Sequence, residues 1–203
     1  MKASIKALGL VALLCALTTA GGCLLEEKVI ELVLSGETCA EFEEDHATGD
    51  FSSESVLAYG DEIQDILEDN DIDRSDISRA LVVGGSYEVT EFSHTHDWTV
   101  AGAVLVERIG VKVEPDTLLR YTSQTLTEAL DNQIWAELHP DGVDVLNTAL
   151  EDFLNGQQPV LKFTVDNGTT TPEPGPSDRI VFDWQTCIKM QLIYAEEFEF
   201  PDP

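Results

Sequence analysis

Positive charge is scarce in this chain. Its 203 residues carry 11 lysines and arginines against 39 aspartates and glutamates, a formal net charge of −28. A surface of that sign repels nucleic-acid phosphates and anionic lipid headgroups, so nucleic acid is excluded as a partner class, while cations and basic partners are attracted. The acids are dispersed, and 43% of residues are hydrophobic. The charge therefore belongs to a folded acidic protein, not a disordered tail. Solubility or life in a saline habitat is its simplest use. Beyond the opening residues there is no apolar run near the ~20 residues that a membrane-spanning helix needs. Catalytic signatures are missing too: no Gly-x-Ser-x-Gly, no phosphate-cradling glycine loop and no metalloprotease helix motif, so no enzymatic activity is expected. With so many carboxylates some pair will lie close by chance, and sequence alone cannot choose a catalytic pair among them. No repeat of fixed period is present.

What is present begins at the first residue. Lys2 and Lys6 give a positive start, Ala7 to Leu17 is an uncharged apolar run, and Thr18-Thr19-Ala20-Gly21-Gly22-Cys23 follows. That order is a secretory signal, too short in its apolar part to cross a bilayer. Two readings compete for Cys23: an ordinary cleavage nearby, after Ala20, that leaves it a plain thiol, and a cleavage that makes it the acylated first residue. Ala20, Gly21 and Gly22 before Cys23 resemble the lipobox of bacterial lipoproteins, although that family prefers an aliphatic residue where Ala20 stands. The resemblance covers residues 1–23. It implies a signal peptide over 1–22, cleavage before Cys23, acyl chains on Cys23 and a permanent membrane anchor, since two or more chains hold stably at ~0.8 kcal/mol per buried CH₂. Leu24 after the cysteine fits transport to the outer membrane, as the same resemblance implies. Residues 23–27 then form the lipidated cysteine and a short tether, and 28–203 a single acidic domain. Partners are expected in the envelope: the membrane through the lipid, and envelope proteins or glycans.

Four cysteines occur. Cys15 leaves with the signal and Cys23 is the anchor, which leaves Cys39 and Cys187 near the two ends of the domain. An exported compartment permits a disulfide between them; two buried thiols behaving as small apolar side chains are the other reading.

Strand patterns dominate the domain. Lys28 to Glu43 alternates with period two, and Glu43 to Ser55 reads as loop. Val56, Tyr59, Ile63, Ile66 and Leu67 recur at helical spacing over Val56 to Asp69. Ile77 to Phe92 reads as strand with a bulge at Gly84-Gly85, and Asp97 to Arg108 as strand, with the two expected to form an antiparallel hairpin. Thr117 to Ser123 and Gln133 to Leu138 are shorter strand candidates, with a helical turn suited to Leu126, Ala129 and Leu130 between them. Asp141 to Asn155 is the clearest helix, started by Pro140 and ended by Gly156. Pro159 to Asp166 reads as strand, Asn167 to Asp178 as an exposed connection, and Arg179 to Phe200 as the last strand. Two helices that do not alternate with the strands argue against a doubly wound sheet. The expected fold is mainly β: an antiparallel β-sandwich with one or two accessory helices. In the segment Ile66 to Val83 and in the strands flanking Asn167 to Asp178, the domain loosely resembles β-sandwich lipoproteins of bacterial envelopes. No motif there carries an activity.

Asp69, Asp71 and Asp73 place oxygen ligands at alternate positions, as a calcium loop does. Arg74 and Ala80 replace the glycine and glutamate of an EF-hand, so the candidate is a looser calcium site weighed against an acidic turn capping the preceding helix. His94 and His96, with His46 or His139, could hold zinc, but a polar hairpin tip explains them better. Asn167-Gly168-Thr169 matches a glycosylation sequon and is read as a turn. Trp98, Trp135 and Trp184 suit either a sugar-stacking platform or the core. The functional expectation is a lipid-anchored, non-enzymatic structural or binding protein of the envelope. The alternative is a calcium-dependent protein- or carbohydrate-binding module.

Overall fold

The computed structural model describes residues 28–92, 97–111 and 114–198. The chain runs β1 (Lys28–His46), β2 (Asp50–Phe51), β3 (Glu54–Leu57), α1 (Tyr59–Glu68), β4 (Ile77–Phe92), β5 (Thr99–Arg108), β6 (Asp116–Thr125), α2 (Leu126–Ala129), β7 (Ile134–Ala136), α3 (Pro140–Leu154), β8 (Leu161–Thr171) and β9 (Ile180–Phe198). One sheet has the order β1-β9-β4-β7. The other has the order β2-β8-β5-β6, with β3 also on β8. Every ladder between named strands is antiparallel. The two sheets bury one continuous core between them, a β-sandwich. Among the described residues no helix is long and apolar enough to cross a membrane.

The first and last strands pair over their whole length, from Lys28 against Phe198 to His46 against Ile180. Within that ladder Cys39 lies directly opposite Cys187, and the two form a disulfide. The bridge closes a loop of 148 residues. In the chain-entropy account so long a loop stabilises by about 2–5 kcal/mol.

The helices pack their apolar faces into the same core. Leu146, Ala149, Leu150 and Phe153 of α3 are fully buried, as are Tyr59, Ile63 and Leu67 of α1. Two glycines allow the helices to come this close. A Cβ on Gly142 would stand 2.6 Å from the Leu118 Cα of β6, and one on Gly36 would stand 2.9 Å from Ile66 of α1. Pro140 begins α3, and Gly156 follows it at φ +86°, as the sequence predicts. The helical turn expected near Leu126 is α2, held by a capping box in which Thr125 and Glu128 each accept the other's backbone N–H.

Four expectations are corrected. β4 and β5 do not form a hairpin: β4 lies between β9 and β7 in one sheet, and β5 between β8 and β6 in the other. Each carries a largely apolar face, and packing those faces across the core buries more than setting the strands side by side. The stretch Glu43 to Ser55 is not a loop; it holds the end of β1, all of β2 and the start of β3. Val56 belongs to β3, outside the helix stripe, and is 61% exposed. Its spacing to Tyr59 imitates a helical step across the strand-to-helix junction. Finally, β8 extends to Thr171, through the segment read as an exposed turn. Asn167 takes φ 51° at a register break opposite Gly102, a bulge that asparagine tolerates. Gly168 there is buried against Phe51. The bulge expected in β4 is present, between Val82 and Gly84.

Candidate functional site

β1 alternates strictly over most of its length. Ala40, Phe42 and Glu44 face inward and are buried, whereas Glu37, Glu41 and Glu43 face outward and are exposed. Among the described residues β1 is the edge of its sheet, and its backbone ladder runs to β9 on one side alone. Beneath that open edge passes β3, the edge of the other sheet. Between them lies a groove of about 790 Å³. Its apolar floor is Ala40, Phe42, Leu57 and Trp184, and its rim carries Glu41, Glu43, Glu54, Glu62 and Asp183. Lys162 of β8 pairs with Glu54 at 2.7 Å. Among the described residues no cation pairs with Glu41, Glu43, Glu62 or Asp183. The groove is thus acidic at its lip and apolar at its base.

Next along β1, behind the residues that line the groove, stands a buried carboxyl. Glu44 is 4% exposed, and its Oε1 accepts hydrogen bonds from the Ser53 hydroxyl and from the Trp184 indole Nε1 at 3.0 Å. These bonds tie β1 to the chain entering β3 and to β9. Loss of water raises the Glu44 pKa above the ordinary carboxylate range; the two donors and the nearby His46 pull it partly back. Next to it the Tyr121 hydroxyl is buried with no hydrogen-bond partner among the described residues, and its pKa is raised by burial and, to a lesser degree, by the Glu44 charge. Tyr121 packs tilted against Trp184 at 5.3 Å and Tyr87 at 5.8 Å. These rings line a cavity of about 10 Å³, room for about one water. Chemically this is one carboxyl held by two donors among aromatics, a fixed polar tie at the corner where the chain passes between sheets.

The acidic stretch singled out for calcium lies elsewhere. Asp69 ends α1, Asp71 takes φ 56° and Asp73 precedes a single 3₁₀ turn at Arg74–Asp76; all three acids are exposed. Arg74 folds back under them. Its guanidinium lies 4.0 Å from the Phe153 ring, and it donates to the Phe153 carbonyl at 3.3 Å and to Gln64 Oε1 at 2.9 Å. Among the described residues no three His, Cys, Asp or Glu side chains converge as a metal site would require.

The remaining candidates separate. Trp98 and Trp184 are core residues, while Trp135 on β7 is 57% exposed with Lys189 Nζ 4.9 Å from its ring. The three therefore make no common platform. His139 sits at the start of α3, 3.5 Å from Asp141. His46 stacks on Phe51 at 4.9 Å, and its Nδ1 lies 2.7 Å from the Thr48 carbonyl. Cys23, His94 and His96 lie outside the described residues. Glu44 is the residue that sequence reading missed. The signal was there: in the alternation of β1 it falls on the inward parity of Ala40 and Phe42, where a carboxylate is out of place.

No protein-family model matches the chain, and no curated protein does so.

Proposed function

We propose that the chain is a lipid-anchored protein of a bacterial cell envelope, held by Cys23 and acting by contact, not catalysis, with the groove between β1 and β3 as its working surface. The observation that carries this reading is the groove itself, which runs along the strand nearest the anchor. Leu24 to Glu27 alone separate Cys23 from β1. Two further features support the reading. A pull on the anchor loads β1, and β1 is paired along its whole length and cross-linked to β9. The strong negative charge repels anionic headgroups and holds the domain off the membrane surface, with its edges free. A calcium-dependent protein- or carbohydrate-binding module on Asp69, Asp71 and Asp73 is the competing proposal, and melting with and without calcium separates the two.

The test of the anchor is direct. Mass spectrometry of the mature chain is expected to find Cys23 as its first residue, with acyl mass added. A Cys23→Ser variant is expected to leave the membrane fraction. A mature chain that begins at Met1, or that carries no lipid, overturns the proposal.

A further inference from the structure

The groove has a geometry that specifies its occupant. We propose that it receives an extended polypeptide segment in which basic and apolar residues alternate, added as a further strand on the free edge of β1. The inference names the partner chemistry of the contact role proposed above and rests on that reading.

Three observations converge on it. First, among the described residues the edge of β1 opposite β9 takes part in no ladder, and unpaired strand N–H and C=O groups are a template for a further strand. Second, Glu41 and Glu43 point to the outer face two residues apart and have no cation partner among the described residues. An added strand presents every second side chain to that face, so lysines or arginines at alternate positions stand across from them. Third, a hollow of about 790 Å³ lies beside the edge, above the buried Ala40, Phe42 and Leu57. The other half of the added strand's side chains would enter it.

Charge that merely guards an edge against aggregation needs no hollow beside it. Here the hollow is present, with room for side chains of the inward parity. A second copy of this chain fits poorly as the occupant, because pairing β1 with β1 would bring two rows of glutamates together.

The experiment uses the detergent-solubilised full chain and three synthetic peptides, with binding read by fluorescence anisotropy in 150 mM salt. One peptide alternates lysine with valine, the second has the same composition with its lysines in a block, and the third alternates glutamate with valine. The alternating basic peptide is expected to bind about tenfold tighter than the blocked one, because only alternation satisfies both faces. The acidic peptide is not expected to bind. Methylating those amide nitrogens of the alternating peptide that would face β1 is expected to weaken binding by about tenfold or more through lost ladder bonds. Reversing Glu41→Lys with Glu43→Lys is expected to cost about tenfold, whereas Asp144→Lys with Glu151→Lys on the exposed face of α3 costs less than about twofold. Glu41→Gln with Glu43→Gln serves as the milder variant should the reversal disturb folding. Equal affinity for the alternating and blocked peptides, equal loss from the two charge reversals, or indifference to N-methylation overturns the inference. So does a stable dimer of the free chain that the peptides cannot disperse. None of these outcomes depends on whether Cys23 is acylated, so the anchor and the partner fail separately.

Discussion

Two acidic regions of this protein look alike in composition and behave differently in space. The turn after α1 gathers Asp69, Asp71, Asp73 and Asp76 within eight residues, yet their side chains spread into solvent. The groove collects Glu41, Glu43, Glu54, Glu62 and Asp183 from four separate elements or their junctions and sets them round one hollow. Crowding along the chain is a poor guide to convergence, because neighbours on a turn repel and solvate independently. Convergence needs a scaffold that holds the carriers of charge in fixed register. In the groove that scaffold is the β1–β9 ladder and the edge of the second sheet.

The largest expected effect breaks the scaffold and spares the turn. Replacing Cys39 and Cys187 together by serine is expected to lower unfolding stability by about 2–5 kcal/mol, measured by chemical denaturation. The same change should increase hydrogen exchange along β1 and β9 more than in α3. Equal loosening of both regions would mean that the bridge does not hold the groove strand in particular.

A smaller effect belongs to the turn. Arg74→Ala removes a guanidinium from above the Phe153 ring and from the Phe153 carbonyl in the last turn of α3. Calorimetry is expected to register a loss of about 1–2 kcal/mol. That result would identify the turn as a clasp between α1 and α3. A loss below about 0.3 kcal/mol would leave the clasp without energetic content.

A third measurement concerns the buried carboxyl of Glu44. The Glu44 pKa is raised in the folded state, so the native protein binds this proton more tightly than the unfolded chain. The contribution of Glu44 to stability is therefore fully present below the ordinary carboxylate range and is lost as pH rises through the raised native value. Glu44→Gln keeps an acceptor for Ser53 and Trp184 but cannot ionise. The variant is expected to be within about 1 kcal/mol of the parent at neutral pH and to lack this pH-dependent component, followed through Trp184 fluorescence in melts from pH 4 to 7. Retention of the full slope would assign it to other acids.

The smallest expected effect is none. Millimolar calcium is expected to raise the melting temperature no more than magnesium at equal concentration, since Asp69, Asp71 and Asp73 do not converge with other ligands among the described residues. A calcium-specific rise would restore the turn as a site and move the functional reading to the calcium-dependent module.

Much of this fold was legible in the chain. Regular alternation marks β1, β8 and β9, three- and four-residue steps mark α1 and α3, and Pro140 and Gly156 bracket the latter. Local pattern misleads where one element hands over to the next and where a strand bulges. Val56 stands at helical spacing from Tyr59 across a strand end, and Asn167-Gly168 reads as a turn when it is a bulge inside β8. Of the candidate site only its acidity and its nearness to the N-terminus were legible. Glu44 was visible in principle as an acid on an apolar parity, but its donors Ser53 and Trp184 lie 9 and 140 residues away.

The order of residues by itself determined the charge, the strand and helix content and the places of the cysteines along the chain. These follow from local periodicity and composition, which act over a few residues. Only the tertiary structure decided that β4 and β5 part into different sheets, that Cys39 meets Cys187 in register, and that dispersed glutamates ring a groove while clustered aspartates face water. Those outcomes depend on which apolar faces bury each other across the core, and that choice is made by the whole chain at once.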